Sequence, residues 1–215
     1  MGRDKCRVLV VDPQPIVQQG YEHLFAPLPD KELIGALASG EELCASYLRL
    51  RPDLVILDLQ LPGISGIETI RRLLRRNPDA RILVHTSMTE VVYVCRSMQN
   101  GARGFLGRHA PVELLLQAVE EVAGGGVFLE HELAQQVAYA RTTMPDNPFQ
   151  GLTPREFEVA VLLANGEPLT EIARRMALSY KTVAGYSSSI RAKLGTRTRT
   201  DLVRLALNHG ILQSR

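Results

Sequence analysis

Four side chains of complementary chemistry each come at the end of a short apolar segment of this sequence. Asp12 follows V-L-V-V, Asp58 follows L-V-I-L, Thr86 ends I-L-V-H-T, and Arg108 follows G-F-L-G. A carboxylate can accept a phosphoryl group, and a neighbouring carboxylate can hold Mg²⁺. A hydroxyl and a cation can bind the phosphoryl oxygens. If the fold brings these four residues together, they predict phosphoryl chemistry at an aspartate.

Residues 1–126 alternate between buried-strand and amphipathic-helix patterns. The apolar runs predict strands at Cys6–Val11, Glu32–Leu37, Leu54–Leu57, Arg81–His85 and Arg103–Leu106. Helical spacing follows each of them, at Gln14–Phe25, Gly40–Leu50, Gly66–Arg75, Glu90–Asn100 and Val112–Ala123. Continuous apolar strands indicate a sheet covered on both faces. The predicted fold is therefore α/β, a doubly wound five-stranded parallel sheet, whose carboxyl edge collects the four residues.

The remainder of the chain has a different pattern, which is helical throughout. Residues 127–150 predict a linker helix, Glu130–Arg141, and then a flexible linker containing Pro145 and Pro148. Residues 151–215 begin with Thr153, Pro154 and Glu156, the signature of a capped helix start. A short helix, the turn Ala177–Ser179 and a longer second helix predict a helix-turn-helix in a small all-α domain.

Charge and composition restrict the partners. The 215 residues are 45% hydrophobic and 22% charged, which suits two globular domains, and no apolar run is long enough to span a membrane. From residue 150 onward the chain has ten Lys/Arg and five Asp/Glu, a net charge of +5. Because the whole chain carries +2, the residues before 150 carry −3. The basic part predicts a polyanionic partner. The three scattered cysteines favour reduced thiols in the cytoplasm.

Four motifs in the first 126 residues resemble the receiver domains of response regulators. They are V-L-V-V-D at 8–12, D-L-V-I-L-D-L-Q-L-P-G-I-S-G at 53–66, I-L-V-H-T-S at 82–87 and N-G-A-R-G-F-L at 100–106. The resemblance implies that Asp58 is the phosphoacceptor and that Thr86, Phe105 and Arg108 form the phosphoryl switch. It also implies Mg²⁺ as cofactor, held by Asp12, Asp58 and Gln60.

Two positions depart from that family. Pro13 stands where the family has a second acid, and Arg108 stands where it has lysine. Loss of a ligand weakens a Mg²⁺ site, and the planar guanidinium of arginine holds anions differently from an ammonium. We therefore expect weak Mg²⁺ binding and DNA binding that depends little on Asp58 phosphorylation. The alternative is that Gln14 or a water compensates for Pro13.

The C-terminal sequence resembles the LuxR/NarL family of transcriptional regulators. The resemblance lies in L-T-P-R-E-F-E-V at 152–159, L-T-E-I-A-R-R-M-A-L-S-Y-K-T-V at 169–183 and R-A-K-L-G-T-R-T-R-T-D-L-V-R-L-A-L-N-H-G-I-L at 191–212. It implies DNA contacts from Lys181, Thr182, Ala184, Gly185, Ser188, Arg191 and Lys193. It further implies a homodimer contact through Leu202, Val203, Leu205 and Ala206, although these residues could instead face their own core.

Together, these patterns predict a two-component transcription regulator that binds double-stranded DNA, with a histidine kinase and a second copy as partners. It is not expected to be an enzyme. One alternative treats the receiver as a ligand- or protein-binding module without phosphoryl chemistry. Another is a phosphatase acting on a small molecule, but that would leave the basic C-terminal domain unexplained.

Overall fold

A computed structural model of the chain describes residues 5–143 and 147–212, so the flexible linker predicted around Pro145 lies partly outside the described residues. The chain forms two compact units. The first contains residues 1–89 and 93–134, and the second contains residues 90–92 and 135–215. No helix in the described ranges is both long enough and apolar enough to cross a membrane.

The first unit contains a parallel sheet with the strand order β2-β1-β3-β4-β5-β6. The strands are β1 Cys6–Val11, β2 Lys31–Leu37, β3 Leu54–Leu57, β4 Ile82–Thr86, β5 Gly104–Gly107 and β6 Phe128–Leu129. The helices of this unit are α1 Pro15–Phe25, α2 Gly40–Leu50, α3 Gly66–Arg76, α4 Val91–Gln99 and α5 Val112–Ala123. The next helix, α6 His131–Thr143, begins in the first unit and has most of its residues in the second. The predicted α/β fold with a parallel sheet is confirmed.

The count of five strands was wrong, because β6 adds a sixth at the edge. Phe128 and Leu129 pair in parallel with β5, and the Phe128 N–H donates to the Arg103 carbonyl at 2.9 Å. Two residues are too few to show a period of two, so the sequence pattern could not reveal this strand. The sheet consequently extends past residue 126, where the prediction placed its end.

The core of the first unit lies on both faces of the sheet. One apolar cluster joins the strands to α1 and α5 through Val8, Val10, Leu54, Ile56, Tyr21, Phe25, Leu115 and Val119. The alternate strand residues Leu9, Val55 and Leu57 are equally buried. Because side chains alternate across a strand, both faces must be covered, which explains the continuous apolar runs.

Gly66 fixes the loop that follows β3. Its N–H donates to the Leu59 carbonyl at 3.0 Å. A methyl group at this position would lie 2.5 Å from Leu59 Cα and 2.6 Å from the Asp58 carbonyl oxygen. Since both of these are backbone atoms, the segment carrying Asp58 would have to move.

We expect Gly66→Ala to lower the free energy of unfolding of the first unit by about 1–3 kcal/mol, as overpacking does elsewhere. Differential scanning calorimetry of the full chain would measure it. The matched control is Gly20→Ala in α1, where a methyl would meet no atom within 4 Å. That change should be neutral or stabilising by up to about 1 kcal/mol. Equal effects of the two substitutions would contradict the explanation.

The second unit ends in four helices, α7 Pro154–Ala164, α8 Leu169–Arg175, α9 Tyr180–Leu194 and α10 Arg199–Asn208, preceded by a 3₁₀ turn at Pro148–Gly151. Thr153 and Glu156 form a capping box that starts α7. Ala177 adopts a left-handed backbone (φ 52°) in the turn before α9, and Gly195 (φ 64°) ends α9. These local signals set α8 and α9 as consecutive helices joined by a tight turn.

Candidate functional site

Asp12 and Asp58 are neighbours because their strands are neighbours. Val11 and Leu57 are in register in the parallel pair β1–β3, and each is followed by one of the two aspartates. The Asp58 N–H donates to the Val11 carbonyl at 2.9 Å. Asp12 is 2% exposed and Asp58 is 3% exposed. The carboxyl edge of the sheet therefore holds two desolvated carboxyl groups side by side.

Arg108 contacts both carboxylates. Its N–H donates to the Thr86 carbonyl at 2.9 Å, which anchors the end of β5 to β4. One guanidinium nitrogen, Nη2, lies 2.5 Å from Asp12 Oδ2 and 3.1 Å from Asp58 Oδ2. Buried carboxylates require a nearby cation. Arg108 supplies it from within the chain.

The predicted switch residues Thr86 and Phe105 lie on β4, which is next to β3, and on β5, which is one strand further along the sheet. Thr86 at the end of β4 is fully buried, and its hydroxyl accepts from the Met88 N–H at 3.3 Å. Phe105 in β5 is fully buried as well. Gln60, expected from the resemblance to contribute to a metal site, is exposed. The structure thus brings Asp12, Asp58 and Arg108 into direct contact and places Thr86 at the end of the adjoining strand.

Sequence reasoning missed a buried pair beneath the site. The Tyr21 hydroxyl of α1 is hydrogen-bonded to Nδ1 of His85, the residue before Thr86. Burial, with the positive charge of Arg108, lowers the pKa of His85 to about 4, so its ring is neutral at neutral pH. Tyr21 lies at an apolar helical position and resembles an ordinary core aromatic. Only the polar His85 inside an apolar strand signalled that a partner was required.

The donor set does not suit Mg²⁺ as it stands. Mg²⁺ requires near-octahedral oxygen coordination. Here a guanidinium contacts both carboxylates, and Pro13 has no side-chain oxygen. Within residues 5–143 and 147–212, no three His, Cys, Asp or Glu side chains are grouped as metal ligands.

Helix α9 has one buried and one exposed face. Ser179 caps it by accepting from the Thr182 N–H at 3.0 Å, and Val183 and Ile190 are fully buried. Among the residues expected to contact DNA, Ala184 is half-buried, and the exposed ones are Lys181, Thr182, Gly185, Ser188, Arg191 and Lys193. A methyl at Gly185 would meet no atom within 4 Å. The fold itself therefore does not require glycine there.

Lys193, which is predicted to contact DNA, also has an ion-pair partner within its own domain. Its Nζ lies 2.6 Å from Glu156 Oε2. Ser189 donates to Glu156 Oε1 at 2.6 Å, so α9 is joined to the start of α7 at two points. Because Glu156 caps the start of α7, its carboxylate lies next to α9. Sequence spacing does not reveal this long-range contact.

The dimer contact predicted on α10 needs a correction. Leu202 is 3% exposed and Ala206 is fully buried in their own domain, so neither is available to a second copy. Val203 and Leu205 are half-buried. Leu207, which we did not single out, is 42% exposed. The helical spacing identified an apolar stripe, but a stripe facing the core and one facing a partner have the same period.

Comparisons with known proteins agree with both parts of this description. A family model described as the response regulator receiver domain matches residues 8–120, and one described as bacterial regulatory proteins, luxR family, matches residues 150–206. The chain is 33% identical to the response regulator GacA of Pseudomonas aeruginosa, covering 97% of this chain and 98% of that protein. It is also 36% identical to the transcriptional activator protein ExaE of Pseudomonas putida, covering 96% of this chain and 98% of that protein. The structure of RcsB from Salmonella enterica bound to a promoter in the presence of BeF3⁻ has a TM-score of 0.67, with 22% identity over 95% of this chain and 100% of that one.

Proposed function

Since this chain belongs to the response regulators that join a receiver domain to a LuxR-type helix-turn-helix domain, we propose that it regulates transcription by placing α9 in the major groove of DNA. The observation that carries this proposal is the two-sided α9, with an apolar face buried in its domain and a polar, basic face exposed. A recognition helix needs this arrangement. Under this proposal the protein binds DNA and is not an enzyme. It acts in the cytoplasm, where the DNA is located.

The proposed domains are a receiver at 1–126 with β6 added to its sheet, a linker that continues to 150, and a DNA-binding domain at 151–215. Lys181, Thr182, Ala184, Gly185 and Ser188 form the proposed groove-facing set, with Arg191 at its edge. The bare backbone at Gly185 supports close approach of the helix to DNA, because no packing inside the domain calls for glycine. Val203, Leu205 and Leu207 remain candidates for a homodimer contact.

In the receiver, we assign Asp58 as the candidate phosphoacceptor, with Thr86 and Phe105 as the switch pair and a histidine kinase as the class of donor. Phosphoryl control requires that the modified site favour one conformation through its own contacts. Asp58 Oδ2 is already paired with Arg108 in the unmodified chain, and Pro13 adds no ligand. We therefore propose that DNA binding depends little on phosphorylation of Asp58.

Gel-shift titrations on one promoter fragment test this proposal with wild type, Asp58→Ala and acetyl-phosphate-treated wild type. We expect the three affinities to agree within about twofold, because full switching would need about 5.5 kcal/mol of differential stabilisation. Asp79→Ala, an exposed aspartate, is the matched control for substitution as such. A gain of about tenfold or more on treatment that Asp58→Ala abolishes and Asp79→Ala keeps would contradict phosphorylation-independent control.

A further inference from the structure

The acid pair of the receiver unit has almost no oxygen left to offer to a metal ion. Asp12 Oδ1 accepts from the Gln14 N–H at 2.8 Å. Asp12 Oδ2 and Asp58 Oδ2 share the Arg108 nitrogen. Asp58 Oδ1, which is buried and has no hydrogen-bond partner among the described residues, is the one oxygen of these two carboxylates left unpaired. Mg²⁺ usually binds through one or two carboxylates and keeps several waters, and here it would find a single unpaired carboxylate oxygen beside a guanidinium.

The guanidinium lies where a bridging cation would have to lie. Nη2 of Arg108 contacts one oxygen of each aspartate at once, and the arginine side chain is only 17% exposed. Arginine keeps its charge under all ordinary conditions, so these contacts persist. To enter, a divalent cation would have to displace two charge-assisted hydrogen bonds or accept a like charge within a few ångströms.

The segment at Pro13 reinforces the arrangement. The Asp12 carboxylate accepts from the backbone two residues later, a local turn that holds its side chain in place. Proline between the two residues fixes the backbone of that turn and contributes no ligand. Thus the two departures from the receiver pattern, Pro13 and Arg108, act in the same direction.

From this geometry we infer that Arg108 is a tethered cation that replaces Mg²⁺ between Asp12 and Asp58, so that the receiver excludes the metal while Arg108 is present. This inference rests on the proposed assignment of the acid pair as the receiver site. It concerns metal binding alone, and its test does not involve DNA, so it and the proposed function can fail separately.

Isothermal titration of the full chain with MgCl₂ provides the test. Wild type should show no saturable binding in the millimolar range. Arg108→Ala frees two carboxylate oxygens and should bind at least about tenfold more tightly than wild type. Arg103→Ala is the matched control, since Arg103 is an exposed arginine at the start of β5 that donates to the Gly125 carbonyl at 3.1 Å. It should behave as wild type. Saturable binding by wild type at millimolar or lower concentrations of Mg²⁺, or a folded Arg108→Ala that binds no better, would overturn the inference.

A second comparison covers the case in which Arg108→Ala fails to fold. Pro13→Asp restores an acid beside Asp12 but leaves Arg108 in place, whereas Pro13→Asp combined with Arg108→Lys changes both. Lysine carries its charge on a flexible stem without the planar fork of arginine, so its ammonium can move away from the acid pair when Mg²⁺ enters. We expect the double variant to bind Mg²⁺ at least about tenfold more tightly than Pro13→Asp alone. Equal affinities would show that Arg108 does not exclude the metal.

Discussion

DNA binding by the full chain should weaken by about 10³–10⁵ when salt rises from roughly 50 to 200 mM, if the complex neutralises about six to ten phosphates. The basis is the charge of +5 on residues 150–215 and the exposed cations of α9 and of the segment after it. Released counterions make such an affinity fall linearly in a double-logarithmic plot against salt. Fluorescence anisotropy on one selected duplex would give the slope, and an affinity that did not change with salt would refute the proposed interface.

Substitution of two lysines of α9 can distinguish a lysine that contacts DNA phosphates from one that is paired within the domain. Lys181 is exposed, and among residues 5–143 and 147–212 its side chain has no hydrogen-bond or ion-pair partner. Lys181→Ala should therefore flatten the slope by about 0.9. The charge of Lys193 is already paired with Glu156. Lys193→Ala should leave the slope nearly unchanged even if the affinity falls, so equal flattening by both variants would contradict this division of roles.

Much of the fold could be predicted because its signals are local. Strands buried on both faces are continuous apolar runs, and capped helix starts such as Thr153-Pro154 can be read over a few residues. The parallel order then follows from the alternation of strands and helices. The edge strand β6 was missed because its two residues are held by pairing with β5, not by a pattern of their own.

The sites were harder to predict, since they depend on contacts between distant segments. The strand-end rule brought Asp12, Asp58 and Arg108 to one edge, but only coordinates show a guanidinium nitrogen between both carboxylates. The partner of Lys193, Glu156, lies 37 residues earlier in the chain, so a count of charges along the sequence does not reveal this ion pair. Likewise, the apolar period of α10 could not tell its own core from a second copy.

Glu156 joins the start of α7 to α9. Its carboxylate accepts from Lys193 Nζ and Ser189 Oγ at 2.6 Å and from the Thr153 N–H at 2.8 Å, while its residue surface is 5% exposed. Burial alone would raise the pKa of Glu156, but the hydrogen bonds from Lys193, Ser189 and Thr153 outweigh it and lower the pKa to about 2. The charged form is therefore the one that the folded domain stabilises.

Glu156→Ala should destabilise the DNA-binding domain by about 3 kcal/mol, because it removes a helix cap and a buried charged acceptor and leaves Ser189 without its partner. Hydrogen exchange of α7 and α9 in the full chain would measure the loss. Glu171→Ala in α8 is the matched control, since the Glu171 side chain pairs with Arg174 alone among the described residues, and this variant should change stability little.

The protonation of Glu156 determines how the difference in stability between wild type and Glu156→Ala varies with pH. Because the pKa of Glu156 is lowered from 4.5 to about 2 in the folded chain, its stabilisation is complete above pH 4.5 and is lost as pH falls toward 2. The difference in unfolding free energy between wild type and Glu156→Ala should therefore narrow across that interval. The difference between wild type and Lys193→Ala should narrow over the same interval, because protonation of Glu156 removes the charge with which Lys193 pairs. A difference that stayed constant from pH 5 to pH 2 would mean that Glu156 acts through packing and not through its charge.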